Sequence, residues 1–149
     1  MTPFLLHVHL AVTWYLVGLC WLVQRVQYPL MAQVGAEGFA SYEAPHVARI
    51  GPVVALPMLL ELGTGVALGL NGDAFARSPA FLVSLALLGA IWLSTFLIQV
   101  PLHGQLGAGF DVEAHARLVS SNWVRTLAWS IRALLVSWLF WSTTVRAAS

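Results

Sequence analysis

Four apolar runs, at about residues 4–23, 50–70, 80–102 and 123–143, constrain this chain more than anything else in it. Each is near the ~20 residues an α-helix needs to cross the hydrocarbon core of a bilayer. A lone strand is excluded there, because lipid offers no partner to backbone N–H and C=O groups while a helix satisfies its own. Composition agrees: 59% of the 149 residues are hydrophobic and 9% are charged, where soluble domains carry about 25% charged residues. The expected fold is all-α, an integral membrane up-down four-helix bundle forming a single transmembrane domain over residues 1–149.

The second constraint is repetition. Gln27-x-Pro29-Leu30 returns as Gln99-x-Pro101-Leu102, and Gln33-x-Gly35-Ala36 as Gln105-x-Gly107-Ala108. Gly38-Phe39 returns as Gly109-Phe110, and Glu43-Ala44, His46 and Arg49 return with small gaps as Glu113-Ala114, His115 and Arg117. So many matches in order point to a duplicated helical hairpin, with units at about 4–70 and 80–143. The first and third spans run the same way, so the repeat is of the parallel type, and a site is expected where the halves meet. Gly35-Ala-Glu-Gly38 and Gly107-Ala-Gly109 are the expected turns on the repeat side; Asn71–Pro79, reading N-G-D and then S-P, is the turn on the other. Asp111 is the expected N-cap of a last helix that begins well before its span.

Charge placement sets orientation and excludes some partners. Seven arginines and no lysine give a net charge of +1 with no basic patch, so nucleic acid is not expected. Arg25, Arg49, Arg117 and Arg125 belong to the repeat side, against Arg77 and Arg146 on the other, which puts the repeat loops in the cytoplasm and both termini outside. Trp21 and Trp123 at one interface, and Trp138 and Trp141 at the other, fit an aromatic belt, whereas Trp14, Trp92 and Trp129 fall too deep. Met1-Thr2-Pro3 lacks the positive start of a signal peptide, so the first span is expected to be retained. The lone Cys20 has no partner for an internal disulfide.

Polar residues then fall into stripes. Asn122, Arg125, Thr126, Trp129 and Arg132 share one face of the last helix, and Trp92, Thr95, Gln99 and His103 one face of the third. His7, Trp14, Gly18 and Trp21 form the expected inward stripe of the first. Arg132 and Glu61 each lie about ten residues into their spans, or roughly 15 Å. A charge at that depth costs at least ~2.5–3.5 kcal/mol, so it turns inward and finds a partner. Glu61 and Arg132 are expected to pair. Taken singly, Thr95, Gln99 and Thr126 read as interhelical hydrogen-bonding residues, and Gly65-x-x-x-Gly69 as close packing. Asn122 and Arg125 lie near the interface, where Arg can simply snorkel, a reading as good as a functional one. Pro52 and Pro57 are expected to bend the second helix.

The histidines raise metal and haem. Glu43-Ala-Pro-His46 has the i, i+3 spacing that di-iron bundles use, but Glu113-Ala-His115 breaks it and no span carries the full carboxylate set, so no metal site is expected. Haem held by two histidines would draw on His7 or His9 at one side, or His46, His103 and His115 at the other. The plainer reading puts the second group at the water boundary, hydrogen-bonded to Glu43, Glu113 or Asp111. No Ser-His-acid spacing, nucleophile elbow or phosphate loop is present. Bulky Trp and Leu on the inward stripes argue against a channel.

W-Y-L-V-G-L near the start, Gln27-x-Pro29-Leu30, and Asn122-Trp-x-Arg125-Thr126-x-x-Trp129-x-x-Arg132 together resemble a family of small bacterial four-span membrane proteins over nearly the whole chain. That resemblance implies a fold and a bacterial inner-membrane location, not an activity. More remotely, the layout is similar to the anthrone-oxygenase-like membrane family, with its small size and Arg-bearing last helix. The His7-to-Trp14 spacing with Gly18-Leu19 resembles the first helix of a haem-dependent protoporphyrinogen oxidase family, whose remaining pattern is missing here.

The leading expectation is an intramembrane pocket for a small apolar, carbonyl-bearing or aromatic ligand such as a quinone, with redox or proton-transfer chemistry as its use. Glu61 and Arg132 are its expected catalytic pair; Trp92, Thr95, Gln99, His103, Asn122, Arg125 and Trp129 its expected binding residues. An accessory subunit that docks on neighbours in a larger membrane complex, or on further copies of itself, is the second reading. A haem-binding redox protein is the third.

Overall fold

The structure, a computed structural model, describes residues 3–72 and 75–148. Met1 and Thr2, Asp73 of the polar turn, and the Arg146 side chain lie outside what it describes. The described residues are helical and contain no strand. Four long helices carry them: α1 (Phe4–Met31), α2 (Ala36–Leu70), α3 (Pro79–Leu106) and α4 (Val112–Ala148). The first three are long and apolar enough to cross a membrane, and the chain reads as a membrane protein. The fourth is the polar one, with Asn122, Arg125, Thr126, Ser130 and Arg132 along its length.

The packing differs from that of a soluble domain in what it exposes and in the charges it buries. Leu56, Leu59, Leu93, Leu97 and Leu134 are each more than half exposed, while Glu61, Arg132, Asn122, His9 and Thr126 are fully buried. Large exposed apolar surface, over an interior where buried charged and polar side chains lie among apolar clusters, is what a lipid solvent selects.

Local sequence explains the ends and the irregularities. Ser78 caps α3 by accepting from the Phe81 N–H at 3.3 Å, with Pro79 at the first helical position, where its missing N–H costs nothing. Asp111 caps α4 as expected, accepting from the Ala114 N–H at 2.7 Å. Two π-helical turns, Val23–Gln27 in α1 and Thr95–Gln99 in α3, precede Pro29 and Pro101. A proline ring clashes with the carbonyl four residues back, and widening the helix by one residue relieves it.

Of the two repeat-side turns, the second falls at Gly107-Ala-Gly109 as expected and the first departs from expectation. The first spans residues 32–35, ends at Gly35 with φ 84°, and leaves Gly38 inside α2. The second spans residues 107–111, with Gly109 at φ 147°. Only glycine adopts these backbone angles without strain, so each marks where its chain reverses.

α1 lies against α2 and α4, and α4 also lies along α3. α2 and α3 meet towards the Asn71–Pro79 end, where Gly65 and Gly69 admit Leu85, Leu88 and Phe81, and again towards the other end, where Phe39 packs with Leu102 and Leu106. Between these two contacts a cavity lies between the helices, lined by residues from 43–58 of α2 and 92–104 of α3.

Candidate functional site

Two polar systems lie inside the bundle, and Trp129 joins them.

The first is sealed. Arg132 Nε donates to Glu61 Oε1 at 3.0 Å, so the expected ion pair is formed, and both side chains are fully buried. Thr13 Oγ1 lies 2.8 Å from the same oxygen, and Trp129 Nε1 donates to Glu61 Oε2 at 3.0 Å. Arg132 Nη1 donates to the carbonyl and hydroxyl oxygens of Ser84, both at 2.7 Å. Its Nη2 reaches His9 Nε2 at 2.9 Å. An arginine only donates, so His9 Nε2 accepts, and the histidine is assigned the tautomer whose Nδ1–H donates to Thr64 Oγ1 at 2.7 Å. Thr64 in turn donates to the Leu60 carbonyl at 2.8 Å. Neither Glu61 nor Arg132 keeps an unpartnered polar atom, and neither lines the cavity.

That placement changes the expected division of roles. Glu61 and Arg132 pair where the sequence put them, but away from the space a ligand would occupy. His9 uses both ring nitrogens inside the network, which removes it from haem ligation. The inward stripe of α1 is also corrected: His9, Thr13, Leu16 and Cys20 face the interior, while Trp14 and Trp21 are 45% and 38% exposed. The reason is solvation. Large indoles tolerate lipid, and here each N–H finds a serine of α4, Ser137 at 3.0 Å and Ser130 at 3.1 Å. His9 and Thr13 find partners only inside.

The second system is the cavity of about 610 Å³ between α2 and α3, floored by α1 and α4. Trp92, Thr95, Gln99, His103, Asn122, Arg125 and Trp129, the seven binding residues expected from the stripes, all line it. Most of the remaining wall is apolar: Leu16, Leu19, Val54, Met58 and Phe96 among others. Its size and lining fall in the range of small-molecule sites.

Several of these groups are tied down. Asn122 Nδ2 donates to Gln24 Oε1 at 2.9 Å, and Asn122 Oδ1 accepts from Arg125 Nη1 at 3.1 Å. The Arg125 guanidinium stands 5.2 Å from the Trp129 ring centroid, within cation–π reach. Gln99 bridges Ser94 at 3.0 Å and Ser121 at 3.2 Å. Thr95 donates to its own helix at the Ile91 carbonyl, 2.8 Å away. Gln99 thus matches its plainer reading as an interhelical hydrogen-bonding residue, whereas Thr95 bonds within its own helix.

Three buried atoms on these walls have no partner: Arg125 Nε, Trp92 Nε1 and Glu43 Oε2. Buried polar atoms are nearly always paired. The three residues that carry these atoms all line the same largely apolar cavity.

Glu43 is what the stripes missed. It is 1% exposed on α2 and reaches across to α3, where its Oε1 lies 2.6 Å from His103 Nδ1. His46, one turn along α2, lies with its ring 5.9 Å from that of His103. The signal was present in Glu43-Ala-Pro-His46, whose spacing puts both on one face. His115 departs from expectation: it is buried and donates to the Tyr28 carbonyl at 2.9 Å, not to Asp111 or Glu113. Glu43-Ala-Pro-His46 and Glu113-Ala-His115 therefore place their acid and histidine differently.

No protein-family model, curated protein or solved structure matches this chain.

Proposed function

We propose that the cavity between α2 and α3 binds a small, largely apolar molecule bearing oxygen acceptors and a hydroxyl, of the quinone or phenol class. One observation carries this reading: Arg125 Nε, Trp92 Nε1 and Glu43 Oε2 are buried without partners on one apolar cavity. Leaving such groups unpaired costs about 1–3 kcal/mol each. A ligand oxygen facing Arg125 and Trp92, and a ligand hydroxyl facing Glu43, would remove that cost. The half-buried indole of Trp92 offers aromatic surface to a ring. Val47, Phe96 and Val100 line the cavity yet are exposed, so its mouth is apolar and suits a ligand arriving from lipid.

Glu61 and Arg132 serve in this reading as the frame that fixes Trp129, rather than as the reacting pair. All four helices cross the membrane. That is supported by the outward stripe of Leu127, Ile131, Leu134 and Trp138 opposite the buried Arg132 on α4. The halves 4–70 and 80–143 form a parallel repeat, supported by a π-helical turn before each Gln-x-Pro-Leu proline. The likeness to small bacterial four-span proteins favours the inner membrane, with the repeat loops in the cytoplasm and both termini outside.

The test is to purify the protein in a mild detergent, extract it with organic solvent, and identify what it retained by mass spectrometry. Wild type is expected to retain an oxygen-bearing apolar molecule that Arg125→Leu loses. Nothing above the detergent blank in either would favour the accessory-subunit reading, in which the outer apolar faces do the binding. A haem band in the same samples would favour the third.

A further inference from the structure

The polar end of the cavity holds a cluster that ligand contacts alone leave unexplained. Glu43 and His46 on α2 and His103 on α3 each present a ligating atom, and these atoms all lie within 4.8 Å of one another. We propose that the three form a site for a first-row divalent metal ion at the cavity wall. The proposal shares its cavity with the ligand reading above but does not depend on which organic molecule binds.

Three observations converge on it. Two imidazoles and one carboxylate are a donor set suited to zinc, iron(II) and related borderline ions, and three protein ligands leave coordination positions open. Glu43, 1% exposed, has one carboxylate oxygen against His103 and the other without a partner, and it lines the cavity. A cation, in place of the ligand hydroxyl considered above, supplies that missing partner and offsets burial of a carboxylate in apolar surroundings. His103 also has outer-shell support: its Nε2 lies 3.4 Å from the Tyr28 hydroxyl, to which it would donate with Nδ1 on the metal. Ligating histidines commonly direct their second ring nitrogen to such a group.

Placement separates this cluster from the di-iron pattern that its spacing first brings to mind. One Glu-x-x-His turn is present, and its third ligand comes from the facing helix. Glu113 is exposed and His115 is held by Tyr28, so the second copy contributes nothing. The site is mononuclear. All three residues line the cavity, so an ion there could take an oxygen of a cavity-bound molecule as a further ligand.

The experiment uses the full chain in detergent, carrying no polyhistidine tag and stripped with chelator. Cobalt(II) is titrated in and followed by its visible d–d absorption; zinc(II) is then added as competitor. Wild type is expected to give a saturable band at one equivalent that zinc abolishes. His46→Ala and Glu43→Gln are expected to weaken cobalt binding at least tenfold, and Arg125→Leu to leave it unchanged. Quenching of tryptophan fluorescence by a naphthoquinone, read on the same samples, reports the organic site separately. No cobalt band in wild type, or a band indifferent to both His46→Ala and Glu43→Gln, overturns the metal site. If the quenching persists in that case, the ligand reading stands; a cobalt band with no saturable quenching has the opposite meaning.

Discussion

Trp129 donates its indole N–H to Glu61 at 3.0 Å while the face of its ring carries Arg125, 5.2 Å from its centroid. One side chain thus ties a closed network to the wall of an open cavity. The network holds the indole in a fixed orientation, and the indole in turn holds a guanidinium whose Nε has no partner. Separate consequences follow for the two sides of that ring.

On the network side, Arg132→Leu leaves Glu61 buried and unpaired, and breaking a buried pair from one side costs about 3–5 kcal/mol. The measurement is thermal unfolding in detergent. Arg132→Leu is expected to lower the midpoint sharply, and Glu61→Gln combined with it to recover much of the loss. A single variant as stable as wild type would contradict the structural role.

On the cavity side, Arg125→Leu removes one unpaired donor and one hydrogen bond to Asn122. Unfolding should shift little, while affinity for a naphthoquinone should fall at least tenfold, or about 1.4 kcal/mol. Measured together, the two readouts distinguish a binding residue from a packing residue. A large loss of stability with unchanged affinity would reverse the assignment.

The close approach of α2 to α3 makes a steric prediction. A Cβ at Gly65 would lie 3.3 Å from His9 Cε1 and 3.6 Å from leucines of α3, whereas nothing lies within 4 Å of one at Gly63. Gly65→Val should destabilise by about 1–3 kcal/mol, as overpacking does. Gly63→Ala should be neutral or slightly stabilising, because it improves helix propensity. Unfolding midpoints of the two variants in one detergent check the contrast.

Capping gives a local control. Asp111→Ala removes the acceptor for the Ala114 N–H and should cost about 0.5–2 kcal/mol, with Asp111→Asn close to wild type. Equal losses in both would show that charge, not the cap bond, matters at this position.

Much of this was legible in sequence, for identifiable reasons. Helical periodicity puts Trp92, Thr95, Gln99 and His103 on one face whatever the partner, and these residues do share the cavity. The cost of burying charge forces Glu61 and Arg132 together. It does not reveal that His9, Thr13, Ser84 and Trp129 would complete their bonding and close the network, because those contacts depend on how four helices rotate against one another. The same limit applies to α1, where two indoles resembled an inward stripe although lipid accepts them. The π-helical turns lie where a proline meets a helix interior, and Pro29 and Pro101 signal strain without saying how it is relieved. Glu43 and His103 are 60 residues apart in sequence, and only the fold brings them to 2.6 Å.

The most direct test of the central claim is a titration of the detergent-solubilised protein with a naphthoquinone, followed by quenching of tryptophan fluorescence. The cavity account predicts saturable quenching in wild type, and a dissociation constant at least tenfold weaker in Arg125→Leu at unchanged thermal stability. Quenching that rises linearly without saturation, or that is the same in both proteins, would contradict it.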